Sequence, residues 1–193
     1  MLLFFDTETT GLPKNWNAPS SAIRNWPRLV QLAWILTNED GEIQESYSTI
    51  IRPEGFTIPR SASDIHRVTQ ARALAEGQPL TDVLSAFTTA LAQANQLIAH
   101  NIDFDEKILG CEFYRSTGKD PLLRVRKACT MKDDAIIAWA AIPPKRYGTY
   151  KWPTLEQLHR KLFNTGIPAA HDALVDVEAT VRCWVGLKEK GVI

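Results

Sequence analysis

The chain has 193 residues, 45% of them apolar and 23% charged, with 22 basic residues balanced by 22 acidic ones. That composition fits an ordinary soluble protein, and globally the charge balance does not announce a nucleic-acid binder. Three cysteines, odd in number and with no C-x-x-C spacing, suggest neither a disulfide framework nor a zinc site, and no run nears the roughly 20 apolar residues of a membrane span.

Residues 2–8, "LLFFDTE", read as a short buried strand that turns acidic at Asp6 and Glu8. Alternate side chains of a strand share a face, so these two acids are expected to point the same way, roughly 6–7 Å apart at Cα. Like charges on one face repel, and burial makes the repulsion worse, so a positive partner is needed. The run has no basic start and is not read as a signal peptide; a reducing, cytoplasmic setting is expected. Residues 9–27 have the chemistry of a loop, although Trp16 and Trp26 are large for one. Residues 28–37 form a strand candidate, 38–41 a turn, and 42–53 the second arm of a hairpin.

Helical spacing begins at 79–94, with Leu80, Val83, Leu84, Phe87 and Leu91 as the apolar stripe. A brief buried strand at 96–101 leads into a helix at 103–118, closed by Gly118. Residues 128–132 are a further strand candidate and 142–153 a loop. A helix then starts behind a capping box, Thr154 with Gln157, and the last helix covers 172–191. Strands come first and helix alternates with strand afterwards. This order predicts an α/β domain, one unit over 1–193, with a central mixed sheet flanked by helices. The first three strands are expected to be antiparallel and the strand at 96–100 parallel to the first.

Two more acidic signals follow. Asp103 and Asp105 open the helix at 103–118, where acids ordinarily offset the helix dipole. Asp176 shares a helical face with Ala173, Thr180, Cys183 and Leu187, a face expected to pack on the sheet. A carboxylate there is unfavourable unless paired or bound to metal. His171 lies about 140° around the helix from Asp176, so it is placed at the helix entry. If the elements converge, Asp6, Glu8, Asp105 and Asp176 meet, and hard oxygen ligands of this kind suit Mg²⁺ or Mn²⁺. Metal would then be the missing positive charge.

"DTETTG" at 6–11, "HNIDFD" at 100–105 and "HDALVD" at 171–176 resemble the three motifs of the DEDDh, or DnaQ-like, 3′→5′ exonucleases. The resemblance runs from residue 2 to about 188. It implies an RNase H-like exonuclease fold and hydrolysis of phosphodiesters by two metal ions. It assigns Asp6, Glu8, Asp105 and Asp176 as metal ligands and His171 as the general base. By the same resemblance Thr9, Thr10 and Leu12 hold the 3′ end, and His66 lies in a turn near the terminal base, with Arg67 where the family usually has glycine. Asn101 and Phe104 line the terminal nucleotide's pocket. The implied partner is a nucleic acid with a free 3′ end, in repair, turnover or replication, with no membrane role.

Three other readings compete. An exoribonuclease of the same superfamily has the same motifs, because contacts to the 2′-OH are made by few residues. A catalytically silent binding module would leave five filled catalytic positions unexplained. An aspartyl phosphatase would favour D-x-D where this chain has Glu8. Residues 107–161 carry twelve Lys and Arg against five Asp and Glu, and such clusters attract polyanions. Residues 119–132 and the loop at 143–153, with Lys145, Arg146 and Tyr147, are therefore candidates for contacting the strand.

Overall fold

A computed structural model describes residues 1–144, 148–168 and 172–193. Its centre is a five-stranded sheet in the order β3-β2-β1-β4-β5. The strands are β1 (Leu2–Thr9), β2 (Leu29–Thr37), β3 (Ile43–Ile50), β4 (Gln96–Ala99) and β5 (Arg126–Cys129). β1 runs antiparallel to β2, and β2 to β3, while β1–β4 and β4–β5 are parallel. The mixed sheet and both expected directions are therefore present.

Burial follows position in the sheet. All nine residues of β2 are buried, which is why its sequence is almost continuously apolar instead of alternating. The edge strands are polar. β3 exposes Gln44 and Ser46, and β5 begins with Arg126 and Lys127; charged and polar edges resist pairing with other chains.

The helices are α1 (Arg60–His66), α2 (Gln70–Glu76), α3 (Leu80–Leu91), α4 (Ile102–Thr117), α5 (Asp134–Ala140), α6 (Leu155–Phe163) and α7 (Ala173–Glu189). They cover both sheet faces. Leu3 and Phe5 of β1 pack with Phe87 of α3 and with Ile108 and Leu109 of α4. Leu2 and Phe4 face the other way, onto Ala173, Val177 and Val181 of α7. Strand alternation thus divides β1 between two helical layers, and this division sets up the site. Among the described residues no helix is long and apolar enough to cross a membrane.

Local signals explain the helix ends. Thr154 and Gln157 form the expected capping box, and Gly118 closes α4 in a left-handed conformation at φ 71°. Gly110 sits inside α4, where glycine is ordinarily unfavourable. A Cβ there would lie 2.3 Å from Asp120 Oδ2. That carboxylate caps a 3₁₀ turn at Pro121–Arg124 through Leu122 N–H and accepts the Ser20 hydroxyl at 2.6 Å. Gly110→Ala is therefore expected to lower the melting temperature by roughly 3–10 °C, because overpacking outweighs the helix-propensity gain. In an Asp120→Ala background the same change should become stabilising, which thermal unfolding of the four proteins would check.

Some expectations need correction. The strand placed at 128–132 lies at Arg126–Cys129, because its partner β4 ends at Ala99, paired with Cys129. The Asp176 face does not pack wholly on the sheet: Cys183 and Leu187 join Leu158 of α6 and Ile136 of α5. α1, α2 and α5 were not foreseen. Each has seven residues, and α1 and α2 bury few side chains, so an apolar stripe hardly develops.

Candidate active site

The acids gather where β1 passes beneath the start of α7. Asp6 and Glu8 occupy the β1 face that looks toward α7, on the same side as Leu2 and Phe4. Asp176 comes down in the first turn of α7. One carboxylate oxygen from each of Asp6, Glu8 and Asp176 lies within 4.8 Å of the others. Two layers of the fold thus bring together groups 170 positions apart in the chain.

Asp105 reaches the cluster differently. It is buried in the first turn of α4, on the opposite side of β1. Its Oδ1 accepts the Thr7 hydroxyl at 2.6 Å and the Thr7 backbone N–H at 3.2 Å. Thr7 points away from Asp6 and Glu8 by the same strand alternation. This contact was missed from sequence, although placing Asp6 and Glu8 on one face already put the residue between them on the other. Asp172 is a second omission. It caps α7 through Leu174 N–H at 3.0 Å, and its charge acts on Asp6 and Glu8.

The electrostatics are those of a cluster short of positive charge. Burial, with the charges of Asp105, Asp176, Glu8 and Asp172, raises the Asp6 pKa well above the usual carboxylate range. Burial and the neighbouring acids push Glu8 up to about 8. Burial raises Asp105 to about 7, against the opposing pull of its hydrogen bonds from Thr7. Among the described residues, no Lys or Arg forms an ion pair with Asp6, Glu8 or Asp105. Lys132 and Lys127 pair with other carboxylates of α4, Asp103 at 2.6 Å and Glu106 at 2.8 Å. An all-carboxylate oxygen donor set of this kind fits a hard divalent cation.

A pocket of about 360 Å³ opens beside Glu8, lined in part by Thr9, Leu12, His66 and Phe104. Its size is within the range of small-ligand sites. Gly11, at φ 150°, carries the chain around its rim, and its carbonyl accepts the Thr9 hydroxyl at 2.7 Å. Leu12 is 72% exposed, an unusual state for leucine that leaves its side chain available at the pocket mouth. Phe104 lies 5.6 Å from Trp16 and 6.4 Å from Trp26 between ring centroids.

His66 is buried, and its Nδ1 accepts Val68 N–H at 3.1 Å, so Nε2 carries the proton of the neutral ring. Burial lowers its pKa, opposed by the backbone of Thr9. Arg67 follows in a left-handed conformation, φ 62° and ψ 7°, so the turn closes without glycine. A non-glycine residue there stores roughly 1–2 kcal/mol of strain.

Two further sequence candidates lie beside the pocket's lining. Thr10 Oγ1 accepts Arg28 N–H at 3.0 Å, and its own N–H donates to the Arg28 carbonyl at 2.9 Å. Asn101 joins β4 to α4 at φ 72°, a conformation asparagine tolerates, and its side chain does not cap the helix. His171, Lys145, Arg146 and Tyr147 lie outside the described residues. His100, in the second acidic motif, is half-buried with Nδ1 2.9 Å from Thr130 Oγ1. Burial depresses its pKa to about 4 against the opposing backbone of Pro153, so its ring is neutral near pH 7.

A family model described as exonuclease, RNase_T, matches residues 3–183. No curated protein matches the chain. Among solved structures, E. coli exonuclease I in complex with a dA16 oligonucleotide superposes at a TM-score of 0.75 with 22% identity, over 97% of this chain and 40% of that one. The zinc-bound form of the E. coli exonuclease I–single-stranded DNA complex gives 0.72 and 23%, over 98% and 40%. A moderately thermophilic exonuclease I from Methylocaldum szegediense gives 0.72 and 21%, over 98% and 40%. The chain spans less than half the length of these proteins. The likeness establishes the fold, which is the RNase H-like one expected from the motifs.

Proposed function

The chain belongs to the RNase_T exonuclease family, and on that premise we propose that it removes nucleotides from the 3′ end of single-stranded or frayed DNA by metal-dependent phosphodiester hydrolysis. The observation that carries this reading is the convergence of Asp6, Glu8 and Asp176 within 4.8 Å, next to a pocket rimmed by Leu12 and Phe104.

Asp6, Glu8 and Asp176 would hold two Mg²⁺ or Mn²⁺ ions together with Asp105, whose Oδ1 is already oriented by Thr7. When bound, such ions polarise the phosphate and lower the pKa of water at the site. The protein's own groups do the rest. Leu12 wedges beside the terminal base and Phe104 offers it an apolar ring, a contact tolerant of any sequence. Thr9, with His66 buried behind it, shapes the floor on which the terminal sugar rests. His171, an imidazole and so suited to proton transfer, accepts the proton of the attacking water at a ring nitrogen. A pocket beside the acids that admits one end of a strand favours removal from the terminus over internal cutting.

The test uses 5′-labelled and 3′-labelled single strands with EDTA, Mg²⁺ or Mn²⁺, with matched DNA and RNA. The reading expects a ladder of shortened 5′-labelled products and immediate release of labelled mononucleotide from the 3′-labelled strand, with EDTA abolishing both. Internal cuts, or release from the 5′ end, would contradict it. Faster loss of RNA than DNA would redirect the substrate assignment.

A further inference from the structure

The loop between β1 and β2 has a composition the reaction does not require. Over residues 10–28 it contains Lys14, Arg24 and Arg28 and no Asp or Glu. It is also firmly held. Trp26 is buried, with Nε1 donating to the Pro19 carbonyl at 3.0 Å. Asn15 and Asn25 close its neck: Asn15 N–H donates to Asn25 Oδ1 at 2.8 Å, and Asn25 Nδ2 donates to the Asn15 carbonyl at 2.9 Å. From α4, Arg115 Nη2 donates to the carbonyls of Ile23 and Trp26 at 2.6 and 2.7 Å. The buried carboxylate of Glu112 pairs with Arg115 and with Arg28, each at 2.9 Å. A loop fixed in this way loses little freedom when it binds.

The frame presents Trp16 to solvent. Its side chain is 55% exposed, and its ring lies against Phe104, a residue of the pocket beside the acids, at an interplanar angle of 42°. On the same loop, Lys14 and Arg24 line a separate cleft of about 510 Å³. Lys14 is two residues beyond Leu12, so the cleft follows the pocket along the chain. An exposed aromatic ring on one loop with two cations, and no acid in that loop, is the combination that recognises the bases and phosphates of a single strand.

We infer that the loop over 13–27 is a strand-holding arm: Trp16 stacks on a base upstream of the terminal nucleotide, and Lys14 and Arg24 contact the phosphates beyond it. The inference rests on the exonuclease reading only for which end of the strand enters the pocket, since binding can be measured without hydrolysis.

The test is binding of a fluorescent oligothymidylate in EDTA, over a range of salt, with melting curves run on every variant. Trp16→Ala is expected to weaken binding about tenfold or more, and Trp16→Phe to recover most of that loss. Lys14→Ala with Arg24→Ala should flatten the plot of log affinity against log salt by about 1.4, from about 0.7 per single-strand phosphate contact. Wild-type affinity in Trp16→Ala would overturn the stacking role, and an unchanged slope in the double variant would overturn the phosphate contacts. Wild-type protein that binds in this pattern yet releases no nucleotide with Mg²⁺ or Mn²⁺ would sink the exonuclease reading and leave the arm standing.

Discussion

Asp6→Asn is expected to reduce nucleotide release by on the order of a thousandfold or more, since a metal's Lewis acidity supplies several kcal/mol to the transition state. The same variant, freed of metal, should melt at a higher temperature than the parent near pH 8. The reason is the position of Asp6. Its carboxylate is desolvated and surrounded by Asp105, Asp176, Glu8 and Asp172, and asparagine keeps the shape while removing the charge. Most substitutions destabilise by about 1 kcal/mol, so a gain in stability together with lost activity would be distinctive. Calorimetry in EDTA and an end-labelled digestion assay measure the two halves. A variant that melts lower while keeping its activity would show that these acids neither repel one another nor bind the required ion.

The second large effect is a stability that depends jointly on pH and metal. In the unfolded chain Glu8 and Asp105 ionise with pKa values near 4. In the fold the proton stays on Glu8 until about pH 8 and on Asp105 until about pH 7. Between these limits the folded state binds more protons than the unfolded state, so stability falls as pH rises. Metal-free protein should therefore melt progressively lower from about pH 5 to pH 8. A divalent cation needs deprotonated ligands and displaces those protons, so its benefit should grow over the same interval. At about a hundredfold excess over its dissociation constant the ion adds about 2.7 kcal/mol, or roughly 5–11 °C for a chain of this size. Melting curves in EDTA and in Mn²⁺ across that range would check this. A metal-induced shift as large at pH 5 as at pH 8 would contradict it.

How much of the site could be read beforehand depended on the range of the interactions. Asp6 and Glu8 were legible because strand alternation alone puts them on one face. Asp176 was legible as a charge on an apolar helical face, although that face divides between the sheet and α6 where a single packing surface was expected. The capping box at Thr154 and the end of α4 at Gly118 were local and equally readable. Contacts made across the fold were not. Nothing near Asp105 in the chain signals that Thr7, 98 positions earlier, takes its Oδ1. Nothing near Trp16 signals that Arg115 of α4 fastens its loop. α1 carries His66 to the pocket, yet with only Ala62 and His66 buried it has too short a stripe to show helical periodicity.

All of this depends on the three carboxylates of Asp6, Glu8 and Asp176 acting together as a cation site. The most direct measurement is anomalous diffraction from crystals of the protein grown with Mn²⁺ near pH 8. A peak in direct contact with oxygens of Asp6, Glu8 and Asp176, and absent in Asp6→Asn, is the predicted result. Manganese bound only elsewhere on the molecule, with these three carboxylates bare at saturating concentration, would contradict it.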